Sequence, residues 1–289
     1  MIATIWGCRG SLATPGAATL GYGGNTSCVE LRLDDGTTIV LDAGTGIREL
    51  GLRLANRPPA PINLLLTHLH LDHVAGLPFF APLWDARAEL HIWAPFARDD
   101  LAEAIARYMS PPLFPVSISD VPASVTFHEL PERTWRVGSA DVFAEPVRHV
   151  GATVGYRLED AGRSLAYLPD HEPYVGVESG GVEPVGLSGY GLASDASILV
   201  HDAQYFETEY PTRTGWGHSS IAHAVAFANA VRAQRLVLFH HDPLHSDDDL
   251  TALEAHAAEL WQGVRPPELA REGMRLGFGE EASGVAASG

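Results

Sequence analysis

Cysteine is almost absent: Cys8 and Cys28 are the only two in 289 residues, too few for a disulfide framework, and both are expected as small buried hydrophobes. The opening stretch MIATIWGCRGS lacks a charged region leading into an apolar core, and no apolar run is long enough to span a bilayer. The expectation is a chain without secretory signal or membrane span, placed in the reducing cytoplasm. Basic residues are scarce as well. Nineteen Lys and Arg stand against 36 Asp and Glu, a formal net charge of -17, and the cations are scattered. A polyanion such as tRNA or DNA is expected to be repelled by such a surface. What is plentiful is apolar material: 46% hydrophobic residues, with 29 Gly and 20 Pro, suit a compact enzyme with a large core. We read one domain over 1–277 and a frayed tail over 278–289.

Strand-like and helix-like segments alternate in two rough halves. Residues 4–6, 28–33 and 38–41 read as strands, with Asp34, Asp35 and Gly36 as the turn of a hairpin. LDAGTG then opens a helix through Ile47, Leu50 and Leu54, ended by the prolines of 58–61. A strand over 89–93, a helix over 99–109 with Leu101, Ile105 and Tyr108 on one face, and an irregular stretch over 111–122 follow. The second half has strands over 125–130, 141–147, 153–158, 164–167, 198–202 and 235–239. Its helices start at Ser219 or Ser220 and at Ser246, where Asp249 completes a capping box.

The densest chemistry lies in LLLTHLHLDHVAG, residues 64–76. Residues 63–66 are fit for a buried strand, and side chains two apart at its end share a face, so His68 and His70 project together. Asp72 is placed as the N-cap of a helix that continues through His73, Gly76, Leu77 and Phe80. Strand, bend and helix thus aim three imidazoles and a carboxylate at one small volume, the ligand set of zinc and of manganese or iron. Polar loop residues with a capping aspartate would account for one or two of the four, not for H-x-H-x-D-H. Four donors on one segment cannot complete two metal shells. Further candidates end other apolar strands: His149, Asp170, and His240 or His241.

The order H-x-H-x-D-H, single His, Asp, single His resembles the metallo-β-lactamase superfamily of metallohydrolases over nearly the whole chain. The resemblance implies an α/β fold, a four-layer αβ/βα sandwich with two divalent metal ions, zinc first and manganese or iron as alternatives, at one edge between its sheets. One ion would take His68, His70 and His149, the other Asp72, His73 and His240, with Asp170 bridging. His240 is preferred to His241 because it follows the apolar strand directly.

GGNTSCVEL and LDAGTG resemble the entry strands of one branch, and HDAQY (201–205) and GHSS (217–220) resemble loops of the tRNA 3′-processing endonuclease ribonuclease Z and its cyclic-phosphodiesterase relatives. Asp202 stands where that branch has glutamate, and Ser220 where it has threonine. The catalytic candidates are then Asp72, His218 as proton donor to the leaving alkoxide, and Asp202 as the carboxylate that orients His218. The plainer reading makes these a strand-end polar cluster and a serine-capped helix start. Two cations would make hydroxide available at neutral pH for in-line attack on phosphorus.

Ribonuclease Z carries a basic arm between the third-histidine motif and the bridging aspartate. Here about twenty residues separate His149 from Asp170, room for two strands and turns. The expected substrate is therefore a small, even cyclic, phosphodiester, with tRNA and DNA disfavoured. A carbon ester or lactone hydrolase and a non-enzymatic binding module are the alternatives. Homodimerisation, common among relatives, has no readable signature. Residues 176–191, rich in glycine, would serve equally as lid or linker. His91, His128, His171, His223, His245 and His256 are expected in surface or hydrogen-bonding roles, and Trp216 is the tryptophan near the site.

Overall fold

The computed structural model describes residues 1–57, 60–132, 134–175 and 183–278. The first half of the chain supplies β1 (Ile2–Gly7), β2 (Cys28–Arg32), β3 (Thr38–Leu41), α1 (Ile47–Ala55), β4 (Ile62–Leu65), α2 (Leu71–Val74), β5 (Glu89–Ala94), α3 (Arg98–Tyr108) and β6 (Ser124–Glu129). The second supplies β7 (Trp135–Val137), β8 (Ala140–Pro146), β9 (Val154–Asp160), β10 (Arg163–Leu168), α4 (Tyr190–Ala193), β11 (Ile198–Asp202), α5 (Ile221–Ala230), β12 (Leu236–Phe239), α6 (Asp247–Leu260) and β13 (Glu268–Leu269). The last strand, β14 (Arg275–Gly277), returns to pair antiparallel with β1.

Two seven-stranded sheets result, ordered β14-β1-β2-β3-β4-β5-β6 and β13-β12-β11-β10-β9-β8-β7. Strands β3 to β6 are parallel, as are β10 to β13, and the remaining pairs are antiparallel. Their inner faces meet in one core where Ile5, Leu31, Ile39 and Leu41 pack with Tyr156, Leu158, Val200 and Phe239. Ile47 and Leu50 of α1 and Leu101 and Ile105 of α3 cover Leu64 and Ile92 on the outer face of the first sheet. Phe227 of α5 and Leu250 and Leu253 of α6 cover Leu199, Leu236 and Leu238 on the second. The layers run helix, sheet, sheet, helix, the expected four-layer α/β sandwich. Strands β3, β11 and β12 are buried at every residue, which explains why they read as continuous apolar runs rather than alternating ones.

Local signals account for most boundaries. Gly36, with φ 90°, closes the β2–β3 hairpin at the expected turn. Ser220 caps α5, and Ser246 with Asp249 forms the expected capping box at α6. Three expectations are corrected. Asp72 is not an N-cap: α2 is capped at His70, and Asp72 sits in its first turn. Nor does that helix reach Phe80. It stops at Val74 and gives way to 3-10 turns at Leu77–Phe79 and Ala81–Trp84, because Pro78 has no N–H to donate and Gly76 is drawn against Ala43, to whose carbonyl it donates at 2.9 Å. Phe278, read as the start of the tail, packs against the inter-sheet core, while 279–289 lie outside the described residues, as do Pro58 and Pro59 and residues 176–182 of the glycine-rich stretch. No described helix is long and apolar enough to cross a membrane.

Candidate metal centre

The C-terminal ends of β4, β8, β10, β11 and β12 open onto one edge of the sandwich, and the loops leaving them converge there. His68 and His70 lie just past β4, and Asp72 and His73 in the first turn of α2. His149 follows β8 by three residues and Asp170 follows β10 by two. His240 follows β12 directly, in a left-handed backbone conformation, φ 63°, that turns its ring back over the edge. Gly10 makes room for that ring, since a Cβ there would stand 2.4 Å from His240 Nδ1.

The seven side chains form two clusters joined through one carboxylate. Asp170 Oδ2 lies 3.7 Å from His68 Nε2 and 3.5 Å from His149 Nε2, and His70 Nδ1 is 3.2 Å from His149 Nε2. Asp170 Oδ1 lies 3.0 Å from His73 Nε2 and 3.3 Å from His240 Nε2, and Asp72 Oδ2 is 3.4 Å and 3.1 Å from the same two nitrogens. Within each cluster the donor atoms lie within 4.8 Å of one another.

Four histidines present Nε2 for the same reason: their Nδ1–H groups are held from behind. His68 donates to Thr67 Oγ1 at 3.0 Å, His73 to Asp42 Oδ2 at 2.8 Å, His149 to the Gly217 carbonyl at 2.8 Å and His240 to Gln204 Oε1 at 3.2 Å. Such partners fix tautomer and ring orientation in metal sites. Asp42, fully buried with φ 61°, also accepts from the Thr67 N–H and hydroxyl and from the Tyr167 hydroxyl. Ser11 N–H donates to Asp72 Oδ2 at 2.7 Å.

The electrostatics call for positive charge. Burial pushes His68, His70 and His149 down from the ordinary imidazole range. Burial also opposes charge on His73 and His240, yet Asp170, Asp72 and Asp42 hold His73 well above that range, and Asp170 with Asp72 raises His240 to about 9. Asp72 and Asp170 are held well below the usual carboxylate range by His73 and His240 against the cost of burial. Meanwhile His68 Nε2, His73 Nε2 and Asp170 Oδ1 are buried without a hydrogen-bond partner. Buried orphans on imidazole and carboxylate, aimed at shared points beside carboxylates, fit divalent metal binding.

His218 stands beside the clusters, its ring stacked on that of His240 at 4.9 Å between centroids. Its Nδ1–H donates to Asp202 Oδ2 at 2.7 Å, and Asp202, fully buried, also accepts from Ser219 N–H at 3.0 Å and Gln204 N–H at 3.1 Å. His218 Nδ1 is also 4.0 Å from Asp170 Oδ2, so His218 could join Asp170 and His240 as donors, but its Nδ1 is already engaged. Its Nε2 is left for the cleft above, about 570 Å³, lined by Ser11, Gln204, Trp216, His218 and Leu244 among others.

Other candidates lie apart. His241 turns away, donating Nε2–H to the Ala270 carbonyl at 2.8 Å, with burial pushing it down to about 3. His201 lies within β11 and faces the helix layer against Phe227, bonded to Asp202 O and His171. His171, read as the least certain of the other histidines, is buried with it. The sequence reading had no role for Asp42, Thr67, Gln204 or Glu172. Asp42, Thr67 and Gln204 do lie in LDAGTG, LLLTHLHLDHVAG and HDAQY.

The family described as the beta-lactamase superfamily domain matches residues 37–241, a span holding all seven clustered donors and His218. Ribonuclease Z of Streptococcus pyogenes serotype M3 is 24% identical over 290 residues, covering 83% of this chain and 91% of that protein. Among solved structures, the metallo-beta-lactamase fold protein YhfI from Bacillus subtilis superposes with a TM-score of 0.68 at 18% identity, over 95% of this chain and 98% of its own. A diphosphatase of the PhnP family superposes with a TM-score of 0.67 at 19% identity, over 96% and 98%.

Proposed function

The chain belongs to the beta-lactamase superfamily, as a metal-dependent hydrolase of its ribonuclease Z-like branch, and from that premise we propose that it is a dinuclear phosphodiesterase acting on a small phosphodiester. The observation that carries the reading is Asp170, whose two oxygens face two separate sets of nitrogens while His218, backed by Asp202, stands 4.0 Å away. In this reading residues 1–277 form one domain, because both sheets must contribute donors.

His68, His70 and His149 would hold one ion and Asp72, His73 and His240 the other, with Asp170 shared between them. Bound there, two divalent cations supply Lewis acidity and lower the pKa of water toward ~7. The chain's own residues do the rest. Asp42, Thr67, Gly217 and Gln204 lock the imidazoles so that no nitrogen must turn during reaction. Asp72, fixed by Ser11 N–H, presents one oxygen to the second set. Asp202 holds Nδ1–H of His218, so when the ring is doubly protonated its second proton sits on Nε2 and moves to the leaving oxygen. The pair lies in HDAQY and GHSS, the segments that resemble loops of ribonuclease Z, and that likeness favours phosphorus over carbon.

A small substrate is favoured over tRNA by the course of the chain between His149 and Asp170. Only β9, β10 and their tight turn at Ala161 and Gly162, with φ of 50° and 75°, lie there, which leaves no inserted arm. The net charge of -17 acts in the same direction.

The test is steady-state hydrolysis of an activated phosphodiester, a phosphomonoester, a lactone and a precursor tRNA by protein loaded with zinc or with manganese, with Asp72→Ala as control. Preference for the small diester, lost in Asp72→Ala, is the expected result. Preference for the lactone or for the tRNA precursor would replace the reading.

A further inference from the structure

Trp216 is 60% exposed on the wall of the cleft over the clusters, and Val150 and Leu244, 54% and 79% exposed, line the same cleft. Large apolar side chains gathered around a concave site mark a binding surface. This one is held rigidly from beneath. The residues flanking Trp216, Gly215 and Gly217, have φ of 85° and 91°, a region that side chains rarely enter. Their N–H groups both donate to Glu172, Gly215 to Oε1 at 2.8 Å and Gly217 to Oε2 at 2.7 Å, and the Tyr210 hydroxyl donates to Oε1 at 2.7 Å. Glu172 is 1% exposed, so a buried carboxylate fixes the backbone on both sides of an indole that is itself left open. A core tryptophan would be covered, and a casual surface tryptophan would need no such support.

The cleft is continuous with the chemistry. Ser11, Gln204 and His218 belong to its lining, and they contact Asp72, His240 and Asp202 respectively. A group leaving beside His218 therefore departs past Trp216. Among the described lining residues Arg213 is the one Lys or Arg, and it already lies 3.6 Å from Glu209 and 4.8 Å from the Tyr205 ring centroid. A polyphosphate would find one partnered cation there, whereas an uncharged flat ring would find an indole. The volume of about 570 Å³ lies within the range of small-molecule sites.

We propose that Trp216 is the platform on which a planar aromatic group of the leaving portion, a nucleobase, stacks while His218 protonates the departing oxygen. The inference rests on the phosphodiesterase reading above. In the step itself the oxygen of water forms a new bond to phosphorus and yields one proton to solvent, the bond from phosphorus to the ribose oxygen breaks, that oxygen takes the Nε2 proton of doubly protonated His218, and the imidazole regains a proton from solvent. No electron is transferred to or from a second reagent.

The experiment compares adenosine 2′,3′-cyclic phosphate with methyl ribofuranoside 2′,3′-cyclic phosphate, which carries the same ring but no base. It uses metal-loaded wild type, Trp216→Phe and Trp216→Ala, with quenching of tryptophan fluorescence by adenosine alone as a readout independent of turnover. The wild type is expected to favour the base-bearing substrate roughly ten-fold or more in kcat/KM, through KM, as stacking of a base on an aromatic side chain provides. The preference should survive in Trp216→Phe and collapse toward one in Trp216→Ala, and adenosine quenching should be lost in Trp216→Phe. Cleavage of both substrates without preference and without quenching overturns the platform and leaves the phosphodiesterase reading standing. Quenching that depends on Trp216 without cleavage of either supports the platform and overturns that reading. Neither cleavage nor quenching overturns both.

Discussion

His218 Nδ1 lies 2.7 Å from Asp202 Oδ2, and the other oxygen of Asp202 is tied to two backbone N–H groups, of Ser219 and Gln204. The imidazole cannot rotate without breaking that bond, so its remaining nitrogen keeps one direction and one protonation role. A general acid of this kind contributes about 10²- to 10⁴-fold, and only where the leaving group needs a proton. His218→Ala should therefore slow an alkyl diester by that amount and a nitrophenyl diester far less, with metal content unchanged by elemental analysis. Equal loss on both substrates, or loss of metal, would assign His218 another role.

Asp42→Asn tests the support behind His73. The carboxylate accepts from His73, Thr67 and Tyr167 in a fully buried position, and an amide nitrogen placed there would face donors. Loss of a second partner of this type costs about 10- to 100-fold in metal affinity. Chelator competition should show the ion of the His73 set weakened most, with a smaller loss at the His68 set, which Asp42 supports through Thr67. Unchanged affinity for both would mean that His73 does not depend on Asp42 for its orientation.

Glu172→Gln removes the charge and turns one of the two oxygens that accept from Gly215 and Gly217 into a donor, so one of these N–H groups loses its partner. Hydrogen bonds to a charged group contribute about 1.5 to 3 kcal/mol each, so the loop over 210–218 should open more easily by about that amount. Because the Gly217 carbonyl also holds His149, limited proteolysis within this loop and reduced turnover should appear together. Faster cleavage of the loop with turnover intact would separate Trp216 and His149 from this anchor.

Metal should stabilise the fold itself. Asp42, Asp72 and Asp170 lie close together, fully or nearly buried, and bound cations offset that charge only in the folded state. Zinc or manganese at about 100 times its dissociation constant should add ~2.7 kcal/mol to unfolding free energy, visible as a rise in Tm that a chelator reverses. Binding should also release protons, since His73 and His240 are favoured in their charged forms without metal. Calorimetry in two buffers of different ionisation enthalpy measures that release, and its absence would argue against these two histidines as ligands.

The sandwich was legible in the sequence wherever burial left a periodic or continuous trace. Strands β3 and β11 fall on the expected residues, and Ser246 caps α6 as its spacing predicted. Strands β7 and β13, of three and two residues, carry too few side chains to leave a pattern, and they pair only because neighbouring strands are already in place. The donors converge as the motif order implied, but the expected helix through Phe80 did not form, since a single apolar spacing cannot reveal that Pro78 and Gly76 break it. The groups behind the donors were illegible for another reason. Asp42 reaches His73 across 31 positions and Gln204 reaches His240 across 36, and nothing local in either segment announces a contact made by tertiary folding alone.

The most direct measurement is diesterase activity followed while metal-free protein is titrated with zinc or manganese, with bound metal counted at each point. The account predicts negligible activity at one equivalent, a rise to full activity as the second equivalent binds, and loss of that second rise in His73→Ala. Full diesterase activity at a single equivalent, or two bound ions with no cleavage of any phosphodiester, would contradict it.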